Sequence, residues 1–265
     1  MSVARVRGIE LAYDVSGAGS PVVLLHGFPF NRTLWREQVD ALRSRYRVIT
    51  IDLRGHGETT ATREPATMEE MAADAAALLD ELHVARAVVG GLSMGGYVAL
   101  AFCRLFPERV GALVLADTRA QADTDEARLS REETAARALC EGMHTIADAM
   151  LPKLLAPSTH AERPETVARV REMILNTDPL GAAAALRGMA VRRDHTEFLR
   201  EIDRPTLIVV GSLDPITPVA DAERMHREIR GSRLEVIRGA SHVSNVERPA
   251  EFNHALKNFL RELEA

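Results

Sequence analysis

Six short runs dense in Val, Ile and Leu recur along the chain, separated by longer stretches with helical periodicity. PVVLLHG (21–27), YRVITIDL (46–53), RAVVGGLS (86–93), VGALVLADT (110–118), RPTLIVVG (204–211) and SRLEVIRG (232–239) are each bounded by turn-forming residues. They are almost continuously apolar rather than alternating, which is the pattern of strands covered on both faces in a parallel sheet. Parallel neighbours need long crossover connections, and the intervening segments supply helices for them. In 67–82, TMEEMAADAAALLDEL, Thr67 and Glu70 have capping-box spacing, and Met71, Leu78, Leu79 and Leu82 fall on roughly one face. Residues 94–106 and 249–263 also read as helices, the second with Pro249 at its first position. Residues 4–15 read instead as a hairpin around Gly8, adding antiparallel strands at an edge. The pattern predicts an α/β fold.

One interval breaks the alternation. From 119 to 200 no strand pattern stands out, and RLSREETAARALCEGM, TIADAMLPKLL and ETVARVREMILN are helical in character. Pro152, Pro157, Pro164 and Pro179 punctuate this stretch, as expected where helices end. It reads as a helical insertion (119–200) into a core formed by 1–118 and 201–265.

The bulk numbers narrow the function classes. A chain of 265 residues with 46% hydrophobic and 27% charged residues can bury one large core. A net charge of -5 carries no basic footprint for nucleic acid. Two cysteines, Cys103 and Cys140, make no disulfide framework, and Cys103 in YVALAFCRLF reads as a buried thiol. The first residues lack the apolar core of a signal peptide, and no run approaches the roughly 18 apolar residues of a membrane span. A cytoplasmic location without membrane contact is the default expectation. No G-x-x-x-x-G-K-[ST], H-E-x-x-H or C-x-x-C occurs, so no nucleotide or metal cofactor is expected.

Gly91-Leu92-Ser93-Met94-Gly95 is a G-x-S-x-G that follows an apolar strand and opens a helix. Small residues permit a sharp turn that exposes the Ser93 hydroxyl near a helix N-terminus, where the helix dipole favours negative charge. A serine hydroxyl is a weak nucleophile at neutral pH and needs an adjacent base, for which histidine is suited. Among nine histidines, His26 and His56 lie in turns after the first two central strands and read as loop-shaping. His242 follows the last strand and precedes the last helix, the place that the order Ser, acid, His gives to the base. The other histidines read as solvated. Asp214, directly after PTLIVVG, is the favoured acid, and Asp117, which also ends a strand, is its rival. Asp117 otherwise reads as a cap on a loop at the base of the insertion, Asp52 as a turn carboxylate and Glu247 as a helix-start acid. The developing oxyanion needs two donors, for which the N–H groups of Met94 and Phe28 are the candidates, since Pro29 has none.

With these residues in place, the chain resembles the α/β-hydrolase fold family along nearly its whole length. His26-Gly27-Phe28-Pro29, the loop from Asp52 to Gly57, Gly90 to Gly96, Gly211 to Pro218 and Gly239 to His242 match the family's landmarks in order. The resemblance implies a mostly parallel eight-stranded sheet flanked by helices, with 119–200 as a helical cap. It also implies a Ser-His-Asp triad working through an acyl-enzyme. Within the family the chain is most similar to small carboxylesterases and 3-oxoadipate enol-lactonases, whose substrates are small-molecule acyl esters or lactones. Such enzymes are often monomers or homodimers.

The sole tryptophan, Trp35, lies outside 119–200, so a cap tryptophan expected of an enol-lactonase is missing. A haloalkane dehalogenase or epoxide hydrolase would carry Asp at position 93. Cofactor-free haloperoxidases (perhydrolases) usually resemble S-M-G-G-G, where this chain continues Gly95-Gly96-Tyr97. Carbon–carbon bond hydrolases and hydroxynitrile lyases use the same triad and stay open. A non-catalytic ligand-binding protein of this fold could lose a triad member, and this chain has all three. Phe28, Phe30, Met94, Met143, Met150 and Leu154 could line an apolar pocket, although methionines at helical spacing are more often plain core.

Overall fold

A computed structural model describes residues 2–264. Eight strands form one sheet: β1 (Ser2–Val6), β2 (Ile9–Ser16), β3 (Ser20–Leu25), β4 (Tyr46–Ile51), β5 (Ala87–Leu92), β6 (Val110–Ala116), β7 (Thr206–Gly211) and β8 (Arg233–Ile237). Their spatial order is β1-β2-β4-β3-β5-β6-β7-β8. The six strands read from the sequence are parallel to one another, and β1 and β2 add the antiparallel edge, β2 pairing with β4. The hairpin between them turns through Arg7 and Gly8, both at positive φ, as a tight two-residue loop requires. In β3, four consecutive residues from Val22 to Leu25 are buried, because helices cover both faces. The two edge strands, β1 and β8, are more exposed.

Six helices belong to the sheet: α1 (Arg36–Leu42), α2 (Met68–Glu81), α3 (Met94–Leu105), and, after β7, α9 (Val219–Glu228), α10 (Ser244–Glu247) and α11 (Pro249–Glu262). The α2 capping box forms as the spacing predicts, with the Thr67 side chain accepting from Glu70 N–H and Glu70 accepting from Thr67 N–H. Between β6 and β7 stand five more: α4 (Asp125–Glu141), α5 (Met143–Leu154), α6 (Pro157–Glu162), α7 (Pro164–Leu175) and α8 (Pro179–Ala190). Pro157, Pro164 and Pro179 each open a helix. Pro152 does not mark an end. It lies inside α5, two residues before the helix stops. So close to the C-terminus, a missing N–H costs the helix one bond. The last two α5 carbonyls find other partners, Lys153 O accepting from Ser241 Oγ and Leu154 O from Val243 N–H.

The α4–α8 group sits on the core through close backbone contact. A Cβ on Gly181 would stand 1.8 Å from Gly55 O, and one on Gly188 would stand 1.8 Å from Ala66 O. Ala66 N–H donates to Ala184 O at 3.0 Å. Helix α8 therefore lies directly on the loop that leaves β4, and no side chain fits between them. Gly181→Ala is expected to push α8 away from that loop and lower stability by about 1–3 kcal/mol, the range of overpacking. Urea unfolding would measure it, and an unchanged midpoint would contradict the contact.

Candidate active site

The loops at the carboxyl ends of β3 to β8 converge on Ser93. Residues Gly91 and Gly95 make the strand-to-helix turn possible: a Cβ on Gly91 would lie 2.0 Å from Gly95 O, and one on Gly95 would lie 2.1 Å from Leu25 O. Ser93 itself holds φ 53° and ψ -115°, a backbone conformation rare for a residue with a side chain. It is fixed there from both sides, its N–H donating to Ala116 O at 2.9 Å and its carbonyl accepting from Thr118 Oγ1 at 2.8 Å. The turn lifts the side chain off the end of β5, leaving the residue 8% exposed.

His242 Nε2 lies 2.8 Å from Ser93 Oγ, and His242 Nδ1 lies 2.8 Å from Asp214 Oδ2. Nδ1–H donates to the carboxylate, so Nε2 is free to accept from the serine hydroxyl. Asp214 is held in turn by Ile216 N–H (2.8 Å) and Thr217 N–H (3.0 Å) on Oδ1, and by the Thr217 hydroxyl (2.6 Å) on Oδ2. Burial works to raise the Asp214 carboxyl, but the His242 charge and the bonds from His242 and Thr217 outweigh it and hold it below the usual range. Three groups 121 and 28 residues apart in sequence thus form one continuous hydrogen-bonded chain that can move a proton off the hydroxyl.

Asp117 does not reach the imidazole ring as Asp214 does. At the end of β6, with φ 43°, its Oδ1 accepts from Gly211 N–H at 2.8 Å and its Oδ2 from the Ser244 hydroxyl at 2.6 Å. Rather than capping its own loop, it ties the loop carrying Asp214 to the loop carrying His242. Burial and the neighbouring Asp214 charge push its carboxyl up to about 7.

The segment after β3 passes beside Ser93. A Cβ on Gly27 would come within 3.2 Å of Ser93 Cβ, which brings the following residue, Phe28, to the same place. Met94 opens α3, so its N–H has no i−4 carbonyl within the helix. Phe30, Met94, Met143 and Leu154 belong to the continuous buried core, with Phe28 buried and Met150 partly so.

The other histidines divide by burial. His26 donates from Nδ1 to Gly27 O and accepts Leu53 N–H at Nε2, so both ring nitrogens are committed. Burial lowers it to about 4, and burial together with His26 lowers His56 to about 3. His195, read from sequence as solvated, is buried as well, packed edge-on against Phe198 and lowered to about 4 by burial and the Arg104 charge. His83, His144, His160, His226 and His254 are exposed. Asp52 is a turn carboxylate, accepting from Glu58 N–H at 2.9 Å while pairing with Arg32. Glu247 is not at a helix start. It ends α10, fully buried, and its carboxylate receives donors from two separate segments, around α6 and at Ser241. Sequence reasoning missed Thr217 and Ser244, whose only signal is their position two or three residues beyond Asp214 and His242. Among the described residues, no group of three or more His, Cys, Asp or Glu side chains could hold a metal ion, and no helix is long and apolar enough to cross a membrane.

A parallel-sheet core whose strand-to-helix turn presents a serine to a histidine and an aspartate is the architecture of the α/β-hydrolases, and the chain belongs to that fold family, whose model matches residues 20–249. Esterases and enol-lactonases are among its particular relatives. A thermophilic esterase from Thermogutta terrifontis is 43% identical, with a TM-score of 0.96 over 99% of this chain and 97% of that one. The enol-lactonase from Burkholderia xenovorans LB400 is 31% identical, with a TM-score of 0.93 over 98% of this chain and all of its own. By sequence, 3-oxoadipate enol-lactonase 2 of Acinetobacter baylyi is 31% identical over 87% of this chain and 85% of its own length.

The buried groups give a pH prediction. His26, His56 and His195 fall from an ordinary 6.5 to about 4 or below on folding, so in this window the unfolded chain binds protons that the fold excludes. Their contribution is present above 6.5 and is lost as the pH drops toward 4. Asp117 acts oppositely: its contribution is full below its ordinary 3.8 and is lost as the pH rises through about 7. Burial raises the Asp52 carboxyl in the same sense as Asp117, and the three histidines outweigh these two carboxyls. The Tm is expected to fall between pH 6.5 and 4, and Asp117→Asn to steepen that fall; a Tm independent of pH in calorimetric scans would contradict it.

Proposed function

We propose that this protein is a serine hydrolase that cleaves small to medium carboxylic esters or lactones through an acyl-enzyme. The observation that carries the reading is the unbroken chain from Ser93 Oγ through His242 to Asp214, both links at 2.8 Å. Ser93 attacks the acyl carbon while His242 takes its proton, and Asp214 holds the ring in the required tautomer and stabilises its cation. The N–H groups of Phe28 and Met94 receive the oxyanion of the tetrahedral intermediate. His242 then returns the proton to the leaving alkoxide and activates the water that frees the acid.

Helices α4–α8 act as the cap that selects the acyl group. The likeness to a solved esterase at 43% identity supports ester hydrolysis, and the enol-lactonase relatives support a cyclic ester as an alternative substrate. Trp35, the only tryptophan, packs against Phe252 in the core, so the cap offers no indole, which favours open-chain esters.

A fluorophosphonate probe is expected to label the wild type and not Ser93→Ala. On p-nitrophenyl esters of rising chain length, with lactones alongside, His242→Ala should lose at least about 10³-fold in kcat, and Asp214→Asn about 10²–10⁴-fold. Asp117→Asn should lose less than about tenfold, since an amide there can still accept Gly211 N–H and donate to the Ser244 hydroxyl. A well-folded wild type that neither takes the label nor turns over any ester or lactone would point to a ligand-binding protein instead.

A further inference from the structure

The two residues flanking His242 are both bonded to the hinge between α5 and α6. Ser241 Oγ donates to Lys153 O at 2.9 Å, and Val243 N–H donates to Leu154 O at 3.3 Å. Glu247 joins the same two segments a second time. Its Oε2 accepts Ser241 N–H at 2.5 Å, and its Oε1 accepts Ala156 N–H at 2.7 Å and the Thr159 hydroxyl at 2.6 Å. Arg163 closes the junction by donating to Glu247 O at 2.8 Å and to Thr159 Oγ1 at 3.1 Å. The carboxylate is fully buried, and none of its three donors is charged.

We infer that Glu247 is a positioning residue that ties His242 to the seat of the cap, so that the place of the base depends on the α5–α6 hinge. This rests on the reading of His242 as the base. The chemistry requires a carboxylate at 247. Two of its donors are backbone N–H groups on different segments, which cannot turn away, and only a carboxylate offers acceptors on both edges. Hydrogen bonds to an ionised acceptor are also the stronger kind, which suits a single side chain holding two loops. Among the described residues, no other side chain is bonded both to Ser241, adjacent to the base, and to α6. A shift of about 1 Å at His242 Nε2 is enough to cost roughly 10²-fold in rate.

Glu247→Gln keeps the size and removes one acceptor edge. With its oxygen on Ala156 and Thr159, its amide nitrogen faces the Ser241 N–H, donor against donor. The expected result is a kcat, per site titrated by fluorophosphonate, lower by about 10–100-fold, with KM changed less than about threefold. The labelling rate should fall by the same factor, and the downfield proton resonance of the His242–Asp214 bond should broaden. Thr159→Val removes a donor on the cap side only. It should lower kcat by about 3–10-fold, and less than that in the Glu247→Gln background, because both changes act on one network. Wild-type kcat and labelling rate per site in Glu247→Gln would overturn the inference whatever happens to Tm. If that variant does not fold, a wild-type labelling rate in Thr159→Val overturns it. An unlabelled wild type would sink the hydrolase reading and this inference together, whereas a labelled wild type with unaffected variants sinks the inference alone.

Discussion

The approach of one hydroxyl to one imidazole depends on a backbone conformation that the chain does not adopt by itself. Ser93 at φ 53° costs on the order of 1–3 kcal/mol, and it persists because its surroundings fix it. Ala116 O takes its N–H, Thr118 takes its carbonyl, and α3 presses so close to β3 that Gly95 has no room for a side chain. The sheet is the rigid body against which this turn is held. Relaxing the turn would move Ser93 Oγ away from His242, and the rest of the arrangement would have nothing to act on.

The imidazole reaches the same point by a different physical route. His242 sits on a loop, and loops are mobile unless their polar groups are bound. Here two buried carboxylates hold the loop on either side of the ring. Glu247 binds Ser241 before it, and Asp117 binds Ser244 after it. A third carboxylate, Asp214, binds the ring itself. Their environments set them apart: Asp214 faces the imidazole and stays ionised, whereas Asp117, close to the Asp214 charge, is pushed toward holding its proton. Geometry separates them as well: Asp214 bonds to the imidazole, whereas Asp117 accepts from Gly211 and Ser244.

How much of this was legible in the sequence follows from the range of each interaction. Strands in a sheet covered on both faces leave an apolar run, so six of the eight strands could be read directly, and the α2 capping box is a pattern over four residues. Ser93, Asp214 and His242 could be picked out because each follows a strand, and strand ends in a parallel sheet gather at one edge. The misreadings have the opposite character. His195, Glu247 and Pro152 were judged from their near neighbours, yet what fixes each of them comes from a remote segment. His195 is bonded through its N–H to Ala120 O, Glu247 is bonded to Ala156 and Thr159, and the carbonyls after Pro152 are bonded to Ser241 and Val243.

The sequence by itself determined the order of the elements, the strand-to-helix turn at Ser93 and the placing of Ser93 and His242 after strands, because these rest on local periodicity and on which residue types tolerate a sharp bend. The tertiary structure alone decided which carboxylate meets His242, which histidines are sealed from solvent, and how the α4–α8 helices are seated. Those outcomes depend on distances between segments far apart in the chain. A carboxyl at the end of β6 and one after β7 look alike in sequence; only folding sets one against the imidazole and the other against Gly211 and Ser244.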